Sequence, residues 1–95
     1  MMDFNTHYIV SSHVLDRYQD RIKKEVPENE MKRHVLEMVR NGLEIFKQND
    51  HKFIRYQDYI FPCVRIEGTE NRYKIKTILT WSIAENLVYF IDQLN

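Results

Sequence analysis

Residues 72–81 read Arg-Tyr-Lys-Ile-Lys-Thr-Ile-Leu-Thr-Trp, and this stretch decides the predicted fold. Its β-branched and aromatic side chains favour sheet, so we expect one continuous strand over residues 72–81. Successive side chains of a strand point to opposite faces. The predicted inward face carries Tyr73, Ile75, Thr77, Leu79 and Trp81, and the predicted outward face carries Arg72, Lys74, Lys76, Ile78 and Thr80. The strand should therefore present a basic face that ends in a hydroxyl.

Two more strands are expected immediately before it, over residues 51–57 and 59–67. Pro62 lies inside the second of these and removes one backbone donor, which a bulge or an edge position would accommodate. The turn at residues 68–71 connects this strand to the basic one. A short strand is expected near the N-terminus, over residues 7–11.

Helical spacing of apolar residues precedes and follows these strands. The first predicted helix covers residues 13–24, with Ser11 or Ser12 as its N-cap. A second, long helix starts near Glu28, and its apolar positions run through Leu43 to Phe46. The last predicted helix, Ser82–Leu94, opens with a capping box formed by Ser82 and Glu85.

These elements predict an α+β fold in the order (β)ααβββα, with a small antiparallel sheet of three or four strands and the helices packed on one face. The 95 residues fit a single domain over 1–95. One cysteine excludes an internal disulfide, and no apolar run is long enough to span a membrane. Without an apolar leader segment, we expect a cytoplasmic protein with no membrane association.

The charges balance at zero overall but are unevenly distributed. Residues 31–76 carry ten basic and six acidic side chains, a net of +4, whereas the regions before and after are each −2. A dedicated nucleic-acid coat protein is usually far more basic. A small nuclease or a binder with one local basic surface is compatible with a neutral total, and so are charges that are only solvated on the surface.

The first predicted helix carries a row of polar side chains that are suited to catalysis. They are His13, Arg17 and Arg21, at intervals of four residues. Histidine can act as a general acid or base near neutral pH. Arginine binds phosphate and stabilises developing negative charge. The alternative is a solvated face in which these arginines pair with Asp16 and Asp20.

Other features are open to two interpretations. Arg72, Lys74 and Lys76 would bind an RNA backbone, or would only keep an exposed strand soluble. Tyr56, Tyr59, Phe61 and Tyr73 would stack on bases, or would fill the core. Cys63 is expected to be a buried apolar residue rather than a nucleophile. The histidines lack ligand spacing and no glycine-rich phosphate loop is present, so we expect neither a metal site nor a cofactor.

Residues 9–22, which contain the pattern Ser-x-His-x-x-x-Arg-x-x-x-Arg, resemble the opening of small bacterial and phage proteins related to BrnT and the RelE-like toxins. In that family a second helix and a short antiparallel sheet follow, and residues 75–80 resemble the last core strand. The resemblance implies a metal-independent endoribonuclease toxin with catalytic residues His13, Arg17, Arg21 and Thr80, with Thr77 as the alternative hydroxyl. The chain departs from the family in its neutral charge and in its C-terminal helix.

This resemblance gives a leading hypothesis, an RNA-acting protein of RelE-like fold whose partner is RNA or the ribosome. In it, Arg72, Lys74 and Lys76 hold the RNA and Thr80 orients the attacking 2′-hydroxyl. The alternative is a non-enzymatic phage or mobile-element module that binds and inhibits a host protein; an antitoxin would also be a protein partner. A third interpretation is self-association as a homodimer, through a sheet edge or the last helix.

Overall fold

The computed structural model describes residues 5–83 and 86, so most of the predicted helix Ser82–Leu94 lies outside the described residues. Within them, two helices and six strands follow one another along the chain, and residues 81–83 and 86 are also helical. Their order is β1 (His7–Val10), α1 (Ser12–Arg21), α2 (Glu28–Asn41), β2 (Leu43–Gln48), β3 (His51–Tyr56), β4 (Tyr59–Arg65), β5 (Arg72–Ile75) and β6 (Leu79–Thr80). The protein is therefore α+β, as predicted.

The sheet differs from the predicted one in size and in direction. Its strand order is β1-β5-β4-β3-β2, with β6 also paired to β4, so the described sheet has six strands rather than three or four. It is mixed rather than antiparallel, because β1 runs parallel to β5. A parallel neighbour requires a long crossover connection, and here α1, α2 and three antiparallel strands supply it.

Strand β2 is an element that the sequence pattern assigned to the end of the second helix. The helix ends at Asn41, and the following residues pair with β3 as far as Gln48. A register shift between Glu44 and Phe46 makes Ile45 an extra, bulged residue. Leu43 and Phe46 therefore lie on the same face of a strand although they are three residues apart. Their spacing imitates the helical period, which is why the pattern was misleading.

The core lies between the two helices and one face of the sheet. Directly paired residues such as Ile54 and Phe61, or Cys63 and Ile75, share that face. They form one buried cluster with the inward side chains of the helices. The helix residues in it are Val14, Leu15, Tyr18, Met31, Val35, Met38 and Val39. The apolar stripes that identify the helices are thus the surfaces that hold them on the sheet.

The predicted continuous strand over residues 72–81 is interrupted opposite Pro62. Three steps along β4, from Cys63 to Ile60, are matched by four steps from Ile75 to Leu79. The Lys76 amide donates to the Pro62 carbonyl at 2.8 Å. The N–H and C=O of a strand residue point to the same side, so the donor that Pro62 lacks would have faced this interruption.

One extra residue reverses the faces of every later side chain. Ile78, predicted to point outward, is fully buried in the core cluster. Thr80 pairs with Tyr59, so it lies on the helix-covered face rather than on the face of Lys74. The prediction that Thr80 continues the basic face is therefore wrong.

Gly42 joins α2 to β2 at a point where the backbones nearly touch. A Cβ added there would lie 2.6 Å from Cγ2 of Ile54 and 2.7 Å from the Arg55 carbonyl oxygen. We expect Gly42→Ala to lower the free energy of unfolding by about 1–3 kcal/mol through overpacking. Chemical denaturation measures this change. The adjacent variant Asn41→Ala, at an exposed position, should change stability by less than about 0.5 kcal/mol. Equal stability of Gly42→Ala and the unmodified chain would contradict the close approach.

Candidate nucleic-acid interface

The candidate site forms where the parallel strands β1 and β5 end side by side. Val10 is in register with Ile75, so the residues that follow each strand emerge at the same edge of the sheet. Ser11 then caps α1, which begins at Ser12. After β5, the chain continues into Lys76. The start of one helix and the end of a basic strand are thereby brought together.

A cavity of about 400 Å³ lies at this junction, lined by Ser11, Ser12, His13, Val64, Lys74 and Lys76. It brings together His13 with Lys74 and Lys76, which the sequence analysis had singled out separately. Its lining holds two cations, one imidazole and two hydroxyls, and no carboxylate. His13, Lys74 and Lys76 are all solvent-exposed, so a large ligand has access. This composition favours an anionic ligand.

The first turn of α1 adds to the preference of the cavity for an anionic ligand. Oγ of Ser11 accepts from the Val14 amide at 3.4 Å, which fixes the start of the helix. The first amides of a helix, here those of Ser12 and His13, have no intrahelical acceptor and carry its positive dipole end. No acidic residue lies in the first turn to compete for them. Ser11 and Ser12 were predicted only as capping residues, and their place in the cavity wall depends on the strand register.

The two arginines of the predicted row lie progressively farther from this cavity. Arg17, one turn beyond His13, binds Asp20 at 3.0 Å in an exposed pair. Such exposed pairs contribute little to stability, so this bond does not hold the Arg17 side chain firmly in place. Arg21 is about 12 Å along the helix axis from His13. Its backbone carbonyl accepts from the Tyr59 hydroxyl at 3.3 Å, and its Nε is buried with no hydrogen-bond partner among the described residues.

The other two predicted site residues, Arg72 and Thr80, lie beside opposite ends of β4. Arg72 is exposed and lies two residues from Lys74 on the same face of β5, so it extends the basic surface beyond the cavity. Thr80 pairs with Tyr59, whereas Lys74 pairs with Val64. These positions are separated by about 17 Å along the strand. Thr80 contacts Ser82, at 3.3 Å between hydroxyl oxygens, and does not reach the cavity of His13.

The aromatic residues of the sheet mainly fill the interior. Phe61 and Tyr73 are buried, and Tyr56 and Tyr59 are half-buried against the core cluster. Tyr73 also contacts Lys52, whose Nζ lies 4.0 Å from its ring centroid and 5.0 Å from that of Tyr8. Lys52 is only 6% exposed. This buried cation was not predicted from the sequence, although Lys52 alternates in phase with the inward-facing Ile54.

A second polar contact that the sequence analysis missed joins the two helices. The Tyr18 hydroxyl lies 2.7 Å from Nδ1 of His34. Desolvation raises the pKa of Tyr18, and the charge of Glu30 raises it further. The hydroxyl therefore stays protonated at neutral pH, and its hydrogen bond with Nδ1 orients the half-buried imidazole. This contact lies on the α1–α2 side of the molecule and is not part of the cavity of His13.

The described residues give little support for a metal site or for a reactive cysteine. They contain no group of three or more His, Cys, Asp and Glu side chains suited to a metal ion. Cys63 is 1% exposed, and burial raises the pKa of its thiol to about 12, against a smaller opposing effect from Lys52. The thiol is therefore neutral and enclosed, in keeping with its predicted place as a small apolar residue of the core.

Comparisons with known proteins give no relative from which a role could be transferred. No match was found among models of protein families, curated proteins or solved structures. Within residues 5–83 and 86, no helix is long and apolar enough to cross a membrane. The class that fold and site define is an α+β protein with a mixed sheet and a basic cavity at one sheet edge.

The state of Cys63 can be measured directly. At about pH 8, we expect iodoacetamide to modify the folded chain at least about a thousandfold more slowly than the denatured chain, because little thiolate forms and the thiol is enclosed. Mass spectrometry follows the reaction. Because the folded-state pKa is raised, burial of the thiol stabilises the fold below about pH 9, and this contribution is lost as pH rises towards 12. Similar rates for folded and denatured chains would contradict burial.

Proposed function

We propose that this protein binds RNA at the cavity of His13, Lys74 and Lys76 and cleaves it without a metal ion. One observation carries the proposal: the fold brings a histidine, two lysines and a helix N-terminus around one cavity whose lining holds no carboxylate. The resemblance of residues 9–22 to RelE-like and BrnT-like proteins adds support, because His13 is common to that motif and to this cavity.

The chemistry uses the RNA itself as the source of the nucleophile. His13 accepts the proton of a 2′-hydroxyl, and the 2′-oxygen attacks the adjacent phosphorus while the bond to the 5′-oxygen breaks. Lys74, Lys76 and the free amides of α1 stabilise the charge that develops on the phosphate oxygens. The 5′-oxygen leaves with a proton from water, and the hydroxide that remains takes the proton from His13, which restores the neutral imidazole. The products are a 2′,3′-cyclic phosphate and a 5′-hydroxyl end.

The other basic residues hold the strand rather than react with it. Arg72 continues the basic line of β5 beyond the cavity, at about 7 Å from Lys74, a distance set by two residues of strand. Arg17 releases its exposed bond to Asp20 and takes a neighbouring phosphate. Thr80 has no part in this proposal because it lies at the other end of β4.

Cleavage should depend on His13 and leave a chemical signature. We expect expression of the unmodified chain in a bacterial host to create new 5′-hydroxyl ends in total RNA. His13→Ala and His13→Asn should reduce their number by about 10²–10⁴-fold, because neither side chain transfers the proton. Sequencing of 5′ ends in growing cells is the measurement, since it includes cleavage that requires ribosomes.

Gln19→Ala is the matched control, an exposed change on another face of the same helix. It should leave cleavage unchanged, and circular dichroism should show all variants folded. New ends that persist in both His13 variants would remove His13 from the reaction. No new ends from any folded variant would favour a protein-binding module, to be sought by capture of a host protein.

Binding should be separable from cleavage. We expect Lys74→Ala and Lys76→Ala each to weaken binding of a single-stranded RNA about tenfold, because each removes a charge-assisted phosphate contact. Each should also reduce the slope of log affinity against log salt by about 0.7. Fluorescence anisotropy over a salt series gives both quantities. Lys24→Ala, which removes an exposed lysine away from the cavity, should change neither; an equal effect of Lys24→Ala would indicate non-specific attraction.

A further inference from the structure

Strand β2 is, among the described residues, the edge strand of the sheet on the side opposite to β1. In the described part of the chain it pairs only with β3. An unpaired edge presents a row of backbone donors and acceptors, ready to pair with another strand. Leu43, at its start, is 70% exposed, and Ile45 and Phe46 in its centre are half-buried.

The charges on this edge complement one another under a two-fold rotation. Residues 43–48 read Leu-Glu-Ile-Phe-Lys-Gln, with Glu44 and Lys47 placed symmetrically about the pair Ile45–Phe46. Both charged side chains are exposed, and neither forms an ion pair among the described residues. When two copies of β2 run antiparallel about that centre, Glu44 of each lies opposite Lys47 of the other.

The bulge at Ile45 makes this arrangement geometrically consistent. Residues three apart in a regular strand point to opposite faces. Here Glu44 pairs with Ile54 and Lys47 pairs with Lys52, and these two β3 residues lie two apart on one face. Glu44 and Lys47 therefore share a face, as directly opposed residues of an antiparallel pair must. Leu43 and Gln48 share the other face and also oppose one another in the same register.

Other registers are unfavourable. A shift that centres the pair on Glu44 places two carboxylates together, and one centred on Lys47 places two ammonium groups together. Like charges directly opposed destabilise a strand pair. The two charges thus disfavour these two registers and favour the one centred between Ile45 and Phe46. A net charge of zero also leaves little long-range repulsion between two copies.

We propose that the partner of this edge is a second copy of the chain, joined through antiparallel β2–β2 pairing with reciprocal Glu44–Lys47 ion pairs. The two sheets become one continuous sheet, with β1 of each copy at its outer edges. The two cavities of His13 then remain open at opposite ends. The inference does not depend on the proposed RNA chemistry.

Charge reversal at β2 tests the pairing. Glu44→Lys and Lys47→Glu each convert both ion pairs into repulsive pairs, and we expect each to weaken self-association at least about tenfold. The double variant Glu44→Lys/Lys47→Glu restores both pairs with exchanged signs, and it should dimerise like the unmodified chain. Glu67→Lys, an exposed change of equal charge on the β4–β5 connection, should leave dimerisation unchanged. Sedimentation velocity over a roughly hundredfold range of protein concentration measures the dissociation constant.

Mixing the two single variants gives a second, independent readout. The Glu44→Lys chain is basic at both positions of β2, and the Lys47→Glu chain is acidic at both. Each is therefore complementary to the other, so the mixture should form a heterodimer in preference to either homodimer. Because exchanging Lys and Glu changes the mass of the chain very little, one variant is labelled with ¹⁵N, and native mass spectrometry then separates the heterodimer from both homodimers. Recovery in the double variant and in the mixture would establish the reciprocal pairs.

Three results would overturn the proposal. The unmodified chain could remain a monomer throughout the concentration range. The dimer could persist in both single variants, which would place its interface elsewhere. The double variant could remain a monomer although circular dichroism shows it folded. This result would mean that Glu44 and Lys47 do not pair with each other across the interface.

Discussion

The parallel pairing of β1 with β5 is the constraint on which the site depends. It sets Val10 beside Ile75, and both strands therefore end at one edge of the sheet. The chain leaving β1 must start α1 there, and the chain leaving β5 must pass through Lys76. His13 and the two lysines are distant in the sequence, and this pairing is what brings them close together in space. The cavity is a consequence of strand direction, just as ligand sites of other open sheets lie beyond the carboxyl ends of parallel strands.

Much of the fold follows from local patterns, because the helices and central strands have clear periods. The apolar stripes of α1 and α2 become the buried cluster, and β3 and β4 lie close to their predicted positions. Two features of the sheet could not be predicted from the periodicity of the sequence. The bulge at Ile45 gives β2 a helix-like spacing, and the extra residue opposite Pro62 reverses the faces of Ile78 and Thr80. The direction of β1 is likewise set by a partner more than sixty residues away.

The sequence indicated several candidate residues of the site, but it did not show which of them lie together in the folded protein. His13 carried a signal because it recurs with Arg17 and Arg21 at intervals of four residues, and Lys74 and Lys76 because they alternate along a strand. That they meet depends on the register between β1 and β5. Thr80 was assigned to the same surface by simple alternation, which one inserted residue invalidates. Ser11 and Ser12 are recognisable as caps, yet only the assembled sheet shows that they face the same cavity.

The most direct test of the central claim is to locate a bound nucleic-acid phosphate in solution. Titration of the isotopically labelled protein with a short 2′-O-methyl oligonucleotide, which binds but lacks the attacking hydroxyl, would be followed by amide nuclear magnetic resonance. Binding at the cavity of His13 should place the largest shifts on Ser12, His13 and residues 74–76, and added salt should reverse them. Shifts confined to another surface, or no shifts at any concentration at low salt, would contradict it.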